Sequence, residues 1–537
     1  MKFIAKNIAK KLATTGGVPL LLVLSLTMCS EDVLDKQPLG TLTDETFYKT
    51  AKDFDAATLA PYSTMLNLTY EQFGAGLWNG FLKPDDDVQH RDPNDAMDVF
   101  NWTPGNNNFG WVWSNAYKGI ARANTVLDQL PKADKLDAAQ KPRYEAEAKY
   151  MRAWWYFLLA TNWGEVPILT TVPASVEETM VGNSKPGEVW DLIESDLKFA
   201  STNLPANYGS EKGRANKWTA QALLGKVQIY RAQWFKTPAK YAEAITNLQA
   251  VVNGGKYKLT ANYGDNFDEK KENNEESLFE VQDTEGDNIN SWGTTDTGGR
   301  AGHAWTIYVS PSCYYGPTTG CAPKSWGEGY GQIDITPSLQ SEFEAGDPRR
   351  YYTMYSEGEK YGDDIFSAGW SRTGHTPAKY NRPWDPNRFP NNWSQNNLRL
   401  IRYADVLLFL AEAKLLGSND VAGAATLINQ VRARARTSPV PAEAKITPSL
   451  PDVSPALSPT DMFKALMHER RVEFATEWDY RYEDLVRWHR AGLINIKTDV
   501  KFGYPESNTN WKATYLLKPI PQSEIDLNSN LKQNPGY

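Results

Sequence analysis

Apolar positions recur every three or four residues along much of the chain, which predicts helices. In "WVWSNAYKGIARANTVLDQLP" the stripe is Ile120, Ala123, Val126 with Leu127, and Leu130, closed by Pro131. "YEAEAKYMRAWWYFLLATNWGEVPIL" reads as a long helix through Leu159, then a Trp-Gly turn and a short apolar segment. "KWTAQALLGKVQIYRAQW" and, past Pro238, "KYAEAITNLQAVVNGGKY" form an antiparallel pair. The second of these presents Ala242, Ile245, Leu248 and Val251 with Val252, and Gly254-Gly255 supplies its C-cap. Another pair is "YADVLLFLAEAKLLG" and "VAGAATLINQVRARAR", in which Ala411, Ala413, Ala422 and Ala425 permit close packing. The predicted class is mostly α, with helical pairs resembling a tetratricopeptide scaffold at an irregular period.

Two stretches break the helical pattern. Residues 256–396 are rich in Gly, Asn, Asp, Pro, Trp and Tyr, with strand-like pieces "ESLFEVQ" and "WTIYVS". A structureless loop of that length is unusual within a compact domain, so an ordered excursion on the helical scaffold is expected. A shorter excursion covers about residues 70–112.

At the other extreme stands the N-terminus. Lys2, Lys6, Lys10 and Lys11 precede the apolar run Val18 to Leu26, the layout of a secretory signal, and the run is too short to span a bilayer. Leu26-Thr27-Met28-Cys29 resembles a bacterial lipobox, with Met28 where a small residue is usual. Cleavage after residue 28 would leave Cys29 to carry acyl chains, an anchor that needs no transmembrane helix. Ser30-Glu31-Asp32 resembles the export signal that sends some lipoproteins to the outer face of the outer membrane.

Composition narrows the function. A chain of 537 residues with 41% hydrophobic content builds a sizeable core, and a net charge of -8 with dispersed basic residues argues against nucleic acid as partner. Beyond Cys29, Cys313 and Cys321 flank "YYGPTTG"; in an exported protein they close a short disulfide loop or stand as two buried thiols. Five scattered histidines complete no zinc site, and no cofactor is called for. "KPDDDV" and "DTEGDNIN" carry enough carboxylates for calcium, although the second has Gly286 at its fourth position rather than the sixth of an EF-hand loop. There is no G-x-S-x-G elbow, phosphate loop or H-E-x-x-H. No catalytic residue is assigned. At helical spacing Glu469, Arg470, Glu473, Arg481, Asp484 and Arg487 are expected to form salt bridges between the C-terminal helices.

Nineteen tryptophans exceed what core packing alone requires. A sugar presents an apolar face that stacks on an indole or phenol and a rim of hydroxyls that pair with Asp, Asn or Gln. The candidate ligand residues are therefore Trp78, Asp85, Asp86, Asn101 and Trp102 in the first excursion, and Trp292, Trp305, Tyr314, Tyr315 and Trp326 in the second.

Eight ordered segments carry a family resemblance from Cys29 to Tyr537: "WSNAYKGIARANTVLDQL", "EAEAKYMRAWWYFLLATNWGEVPIL", "NNEESLFEVQ", "SLQSEFEAGDPRR", "LIRYADVLLFLAEA", "LINQVRARA", "HERRVEFATEWDYRYEDLVRW" and "LLKPIPQSEIDLNSNLKQNPGY". The chain resembles the SusD/RagB family of Bacteroidetes outer-membrane lipoproteins. The resemblance implies a signal peptide over 1–28, an N-terminal SusD-like helical region over 29–255 and a C-terminal RagB/SusD region over 256–537. It further implies a lipoprotein on the cell exterior, docked on a SusC-like TonB-dependent transporter, that captures glycan and passes it to the pore. Two alternatives stay open. A peptide-import lipoprotein of the RagB type would share the scaffold, and a surface glycosidase would need only two suitably spaced carboxylates.

Overall fold

The computed structural model describes residues 47–69, 84–283, 305–311, 329–362, 364–381, 394, 396–477 and 480–537. Residues 50–537 form one compact unit; of the other unit, residues 1–49, only 47–49 are described. Cys29, Cys313 and Cys321 lie outside the described residues, as do Trp78, Trp292, Tyr314, Tyr315 and Trp326.

The unit is mostly helical. Its leading elements are α1 (Ala51–Ala57), α2 (Ala60–Thr69), the short strand β1 (Val88–His90), α3 (Asn107–Gln129), α4 (Lys141–Trp163), α5 (Glu188–Asn203), α6 (Lys217–Trp234) and α7 (Ala239–Asn253). There follow β2 (Ser277–Val281), β3 (Ile333–Ile335), α8 (Pro337–Glu342), β4 (Leu398–Arg402), α9 (Tyr403–Ser418), α10 (Val421–Thr437), α11 (Pro459–Phe474) and α12 (Tyr480–Ala491). Helices pack as sequential pairs, α3 on α4, α4 on α5, α6 on α7 and α9 on α10, and α7 continues onto α9. This is the tetratricopeptide-like arrangement that the periodicity predicted. Close approach within one pair depends on Gly225 of α6, where an added Cβ would lie 2.5 Å from Leu248 Cγ.

Several elements differ from expectation. Helix α5 was missed, although Val189, Trp190, Ile193, Leu197 and Ala200 form a buried stripe at helical spacing. On α7 the buried face is Tyr241, Ala244, Leu248 and Val251, which leaves Ala242 exposed. "WTIYVS" was read as strand-like from its β-branched and aromatic residues, yet Trp305–Val309 is helical. Tertiary context overrides β-propensity there. "ESLFEVQ" does supply β2, which pairs antiparallel with β4.

The main hydrophobic core is a cluster running from Met65 to Leu531, and Tyr355, Tyr361, Phe366 and Ala378 form a smaller one. Helix α4 is buried nearly all round, with Trp155 and Trp163 fully enclosed. Beneath the C-terminal half lies a web of buried charge. The Arg349 guanidinium meets Asp347 at 2.8 Å, Glu469 at 2.6 Å and Glu473 at 3.0 Å. Arg402 of β4 reaches Glu276 at 2.6 Å, Glu473 at 3.0 Å and Glu477 at 2.8 Å, and Arg434 joins Glu276 to Glu473. Burial alone would raise the Glu473 carboxyl, but Arg434, Arg402 and Arg349 hold it well below the usual carboxylate range. Arg470 pairs with Asp484 and Asp405, and Arg487 with Asp484 and Glu412. The charged C-terminal motif is thus structural, as its spacing predicted.

Candidate functional site

Helix α1 opens with a capping box: Thr50 accepts the Asp53 N–H, and Asp53 accepts the Thr50 N–H at 2.7 Å. This start places Leu59 and helix α2 over the body. The Tyr62 hydroxyl donates to Glu147 Oε1 of α4 at 3.1 Å and accepts the Ala215 N–H at 3.0 Å. Glu147, fully buried, also receives Arg214 Nη1 at 2.8 Å, while Arg214 Nη2 donates to the Asp55 carbonyl at 2.8 Å. Burial raises the Glu147 carboxyl, and the adjacent Arg214 partly offsets that rise. The same burial, with the Glu147 charge beside it, pushes the Tyr62 phenol well above its ordinary value.

Asp55, Tyr62 and Arg214 of this network line a pocket of about 570 Å³, within the size range of small-molecule sites, with Glu147 behind them. Leu59, Met65 and Leu66 supply one side, the turn Glu211–Arg214 another, and Val281 and Gln282 at the end of β2 a third. Leu59 is 47% exposed, so apolar surface faces the opening. Gly213 takes φ +85°, and an added Cβ would fall 2.5 Å from Gln282 Cγ; a glycine is required for the turn to approach β2 so closely. In chain order, residues 70–83, with Trp78, follow directly on α2, and residues 284–304, with Trp292, follow directly on Gln282 and Asp283.

The other candidates fall elsewhere, and none lines this pocket. Asp85 and Asp86 are buried, not open to a ligand. The Asp85 carboxylate accepts the N–H of Asp87 at 2.8 Å and of Val88 at 3.0 Å; burial beside Asp87 and Asp86 pushes it well above the usual range. Asp86 is chelated by Arg481 at 2.6 and 2.8 Å and meets Arg471 at 2.9 Å; Arg471 also takes Asp87 at 2.8 Å. Of the carboxylates of "KPDDDV", Asp86 and Asp87 serve arginines of α11 and α12 and Asp85 caps the local backbone, and no group of three or more metal-ligating side chains occurs among the described residues. Trp102 is 3% exposed, packs between Phe109 and Tyr515, and donates its indole N–H to Tyr537 at 2.8 Å. Trp305 is fully buried. Asn101 alone of the five described candidates is exposed. The expectation that residues 84–112 form an open excursion thus gives way to a buried strand and core aromatics, because "DDD" finds its partners near the far end of the chain.

With this geometry in place, the relatives can be set beside it. The model of the SusD family matches residues 243–537, more than half of the chain, and a second model, described as "Starch-binding associating with outer membrane", matches residues 84–229. The chain belongs to the SusD family. It is similar to a SusD-like protein of Bacteroides ovatus, 27% identical with 100% of this chain and 99% of that one aligned. Among solved structures, a SusD superfamily protein of Bacteroides vulgatus superposes with a TM-score of 0.74 at 23% identity, over 92% of this chain and 100% of that one. A laminarin binding SusD-like protein superposes with a TM-score of 0.71 at 26% identity, over 91% and 100%.

Proposed function

We propose that this protein is a lipid-anchored binder of oligo- and polysaccharide on the outer face of the outer membrane, and that it delivers glycan to a SusC-like TonB-dependent transporter. The observation that carries this reading is the pocket of about 570 Å³ from whose walls both aromatic-rich segments depart. Its apolar lining suits the C–H face of a sugar, and Trp78 and Trp292 supply further stacking surfaces. Trp326, Tyr314, Tyr315 and the exposed Asn101 belong to the same proposal as outer contacts. The laminarin-binding relative and the family description that names starch and the outer membrane support it. In this reading residues 1–28 are removed, Cys29 carries the lipid, residues 29–255 and 256–537 are the two halves of the binder, and no catalysis occurs. No described helix is long and apolar enough to cross a membrane, consistent with a lipid as the anchor.

The test is calorimetry and affinity electrophoresis of the lipid-free protein against a broad glycan panel. The expected result is binding of at least one glycan, weakened about tenfold or more, or about 1.4 kcal/mol, in Trp78→Ala and Trp292→Ala. Binding to no glycan overturns the reading. The apolar lining of Leu59, Met65, Leu66 and Val281 also suits a peptide side chain; retention of peptides in place of glycan would transfer the proposal to the peptide-import reading. Metabolic palmitate labelling that is lost in Cys29→Ala tests the anchor.

A further inference from the structure

We infer that a second cavity, a polar cleft of about 310 Å³ beside the pocket, takes an acidic sugar residue of the glycan, one that bears a carboxylate or a sulfate ester. This rests on the glycan reading and names the class of saccharide. The cleft and the pocket share the turn Glu211–Arg214 and Glu280 as lining, so an oligosaccharide seated in one extends into the other.

Most polar groups of the lining already have partners. Arg214 is held by Glu147 and, at 2.7 Å, by Glu211. Glu280 accepts the Asn273 N–H at 3.0 Å and Asn397 Nδ2 at 2.9 Å. Asn216 caps α6 through its carbonyl oxygen and donates Nδ2 to the Tyr257 hydroxyl at 2.7 Å. Asn274 accepts the N–H groups of Glu276 and Ser277.

What remains is biased toward donors. Lys212 and Lys256 line the cleft and form no ion pair among the described residues, in a chain of net charge -8 where carboxylates outnumber cations. Set against these two ammonium groups is one carboxylate of the lining without a cationic partner within bridging distance, Glu275. The second observation is Ser277 at the start of β2. It is 8% exposed, lines the cleft, and its Oγ has no hydrogen-bond partner. A buried hydroxyl left in that state is unusual in a folded protein and calls for a ligand or water to complete it. An acceptor-rich group with charge, flanked by sugar hydroxyls, complements two ammonium groups and a hydroxyl better than a neutral hexose does.

The experiment titrates the lipid-free protein with an acidic oligosaccharide before and after carboxyl reduction, with a sulfated oligosaccharide before and after desulfation, and with a neutral ladder. The expected result is about tenfold tighter binding of one intact acidic ligand than of its neutralised form at low ionic strength, an advantage that shrinks at high salt. The arm that shows the difference identifies the acidic group. The double variant Lys212→Gln, Lys256→Gln should lose that advantage while keeping its affinity for the neutral ladder, and Ser277→Ala should reduce it. Equal binding of intact and neutralised ligands, or a preference unchanged in the double variant, overturns the inference and leaves the glycan reading standing. Binding of no saccharide at all overturns both.

Discussion

The charge web under the C-terminal half and the polar cleft beside the pocket draw on the same residue types, yet they are wired differently. In the web every guanidinium has carboxylate partners, and Glu473 alone serves three arginines. In the cleft the exposed Lys212 and Lys256 form no ion pair among the described residues, and the buried Ser277 Oγ has no hydrogen-bond partner. A buried charge without a partner is expensive, so evolution can leave groups unsatisfied only where water or a ligand reaches them. Buried cations paired with carboxylates therefore mark scaffold, and exposed cations without such a pair mark a surface kept in reserve for something else.

The sharpest way to break this contrast is Glu473→Ala, which takes one carboxylate partner from each of Arg349, Arg402 and Arg434 and leaves the buried web with an excess of positive charge. We expect a loss of about 5 kcal/mol, at the top of the range for breaking a buried ion pair, read as a collapse of the denaturation midpoint. Should stability hold, the web is not the scaffold described above. Trp102→Ala comes next: it removes a core indole and is expected to cost about 3 to 4 kcal/mol while leaving glycan affinity unchanged, measured by thermal unfolding and calorimetry. A selective loss of affinity with normal stability would return Trp102 to the ligand site.

Gly213→Ala is expected to cost about 1 to 2 kcal/mol, since an alanine at φ +85° is strained and its methyl displaces Gln282 from the pocket wall. Binding should weaken along with it. The smallest effect concerns Glu272, whose carboxyl burial pushes up to about 7 despite the N–H that Asn397 donates to it at 2.6 Å. A carboxyl raised in the folded state holds its proton more tightly there. Its stabilising contribution is complete below the ordinary carboxylate range and is lost as pH rises through 7. Glu272→Gln should therefore match the wild type in acid and exceed it by about 1 kcal/mol near pH 8, a figure reduced for partial solvent screening. A constant difference across that window would contradict the assignment.

Much of the fold was legible because it is encoded locally. Helices α3, α4, α6, α7, α9 and α10 repeat their apolar residues at short range, and the pairing of Asp484 with Arg487 follows from helical spacing, whereas Arg470 reaches Asp484 across from α11 to α12. What was illegible depends on contacts distant in sequence. Nothing near Asp86 announces Arg471 and Arg481, so a run of three aspartates after a proline reads as an exposed loop. Trp102 misled for the same reason: its partners Tyr515 and Tyr537 come from the C-terminus. The pocket itself joins α2, the 211–214 turn and the end of β2, three segments of unremarkable composition whose meeting no periodicity reports.

Strands β2 and β4 are neighbours, and the Asp283 N–H donates to Asn397 Oδ1 at 2.7 Å, so the long segment between them starts and finishes at one spot. At the opposite end of the two strands Glu276 and Arg402 are bound to each other, which holds the ladder closed. A loop whose ends are fastened this way can lengthen or shorten at little entropic cost. The segment is not free between those ends: Arg349 within it enters the charge web and Trp305 is fully buried, so it is stitched to the scaffold along its length as well as at its feet, and changes of length are tolerated only between the stitches.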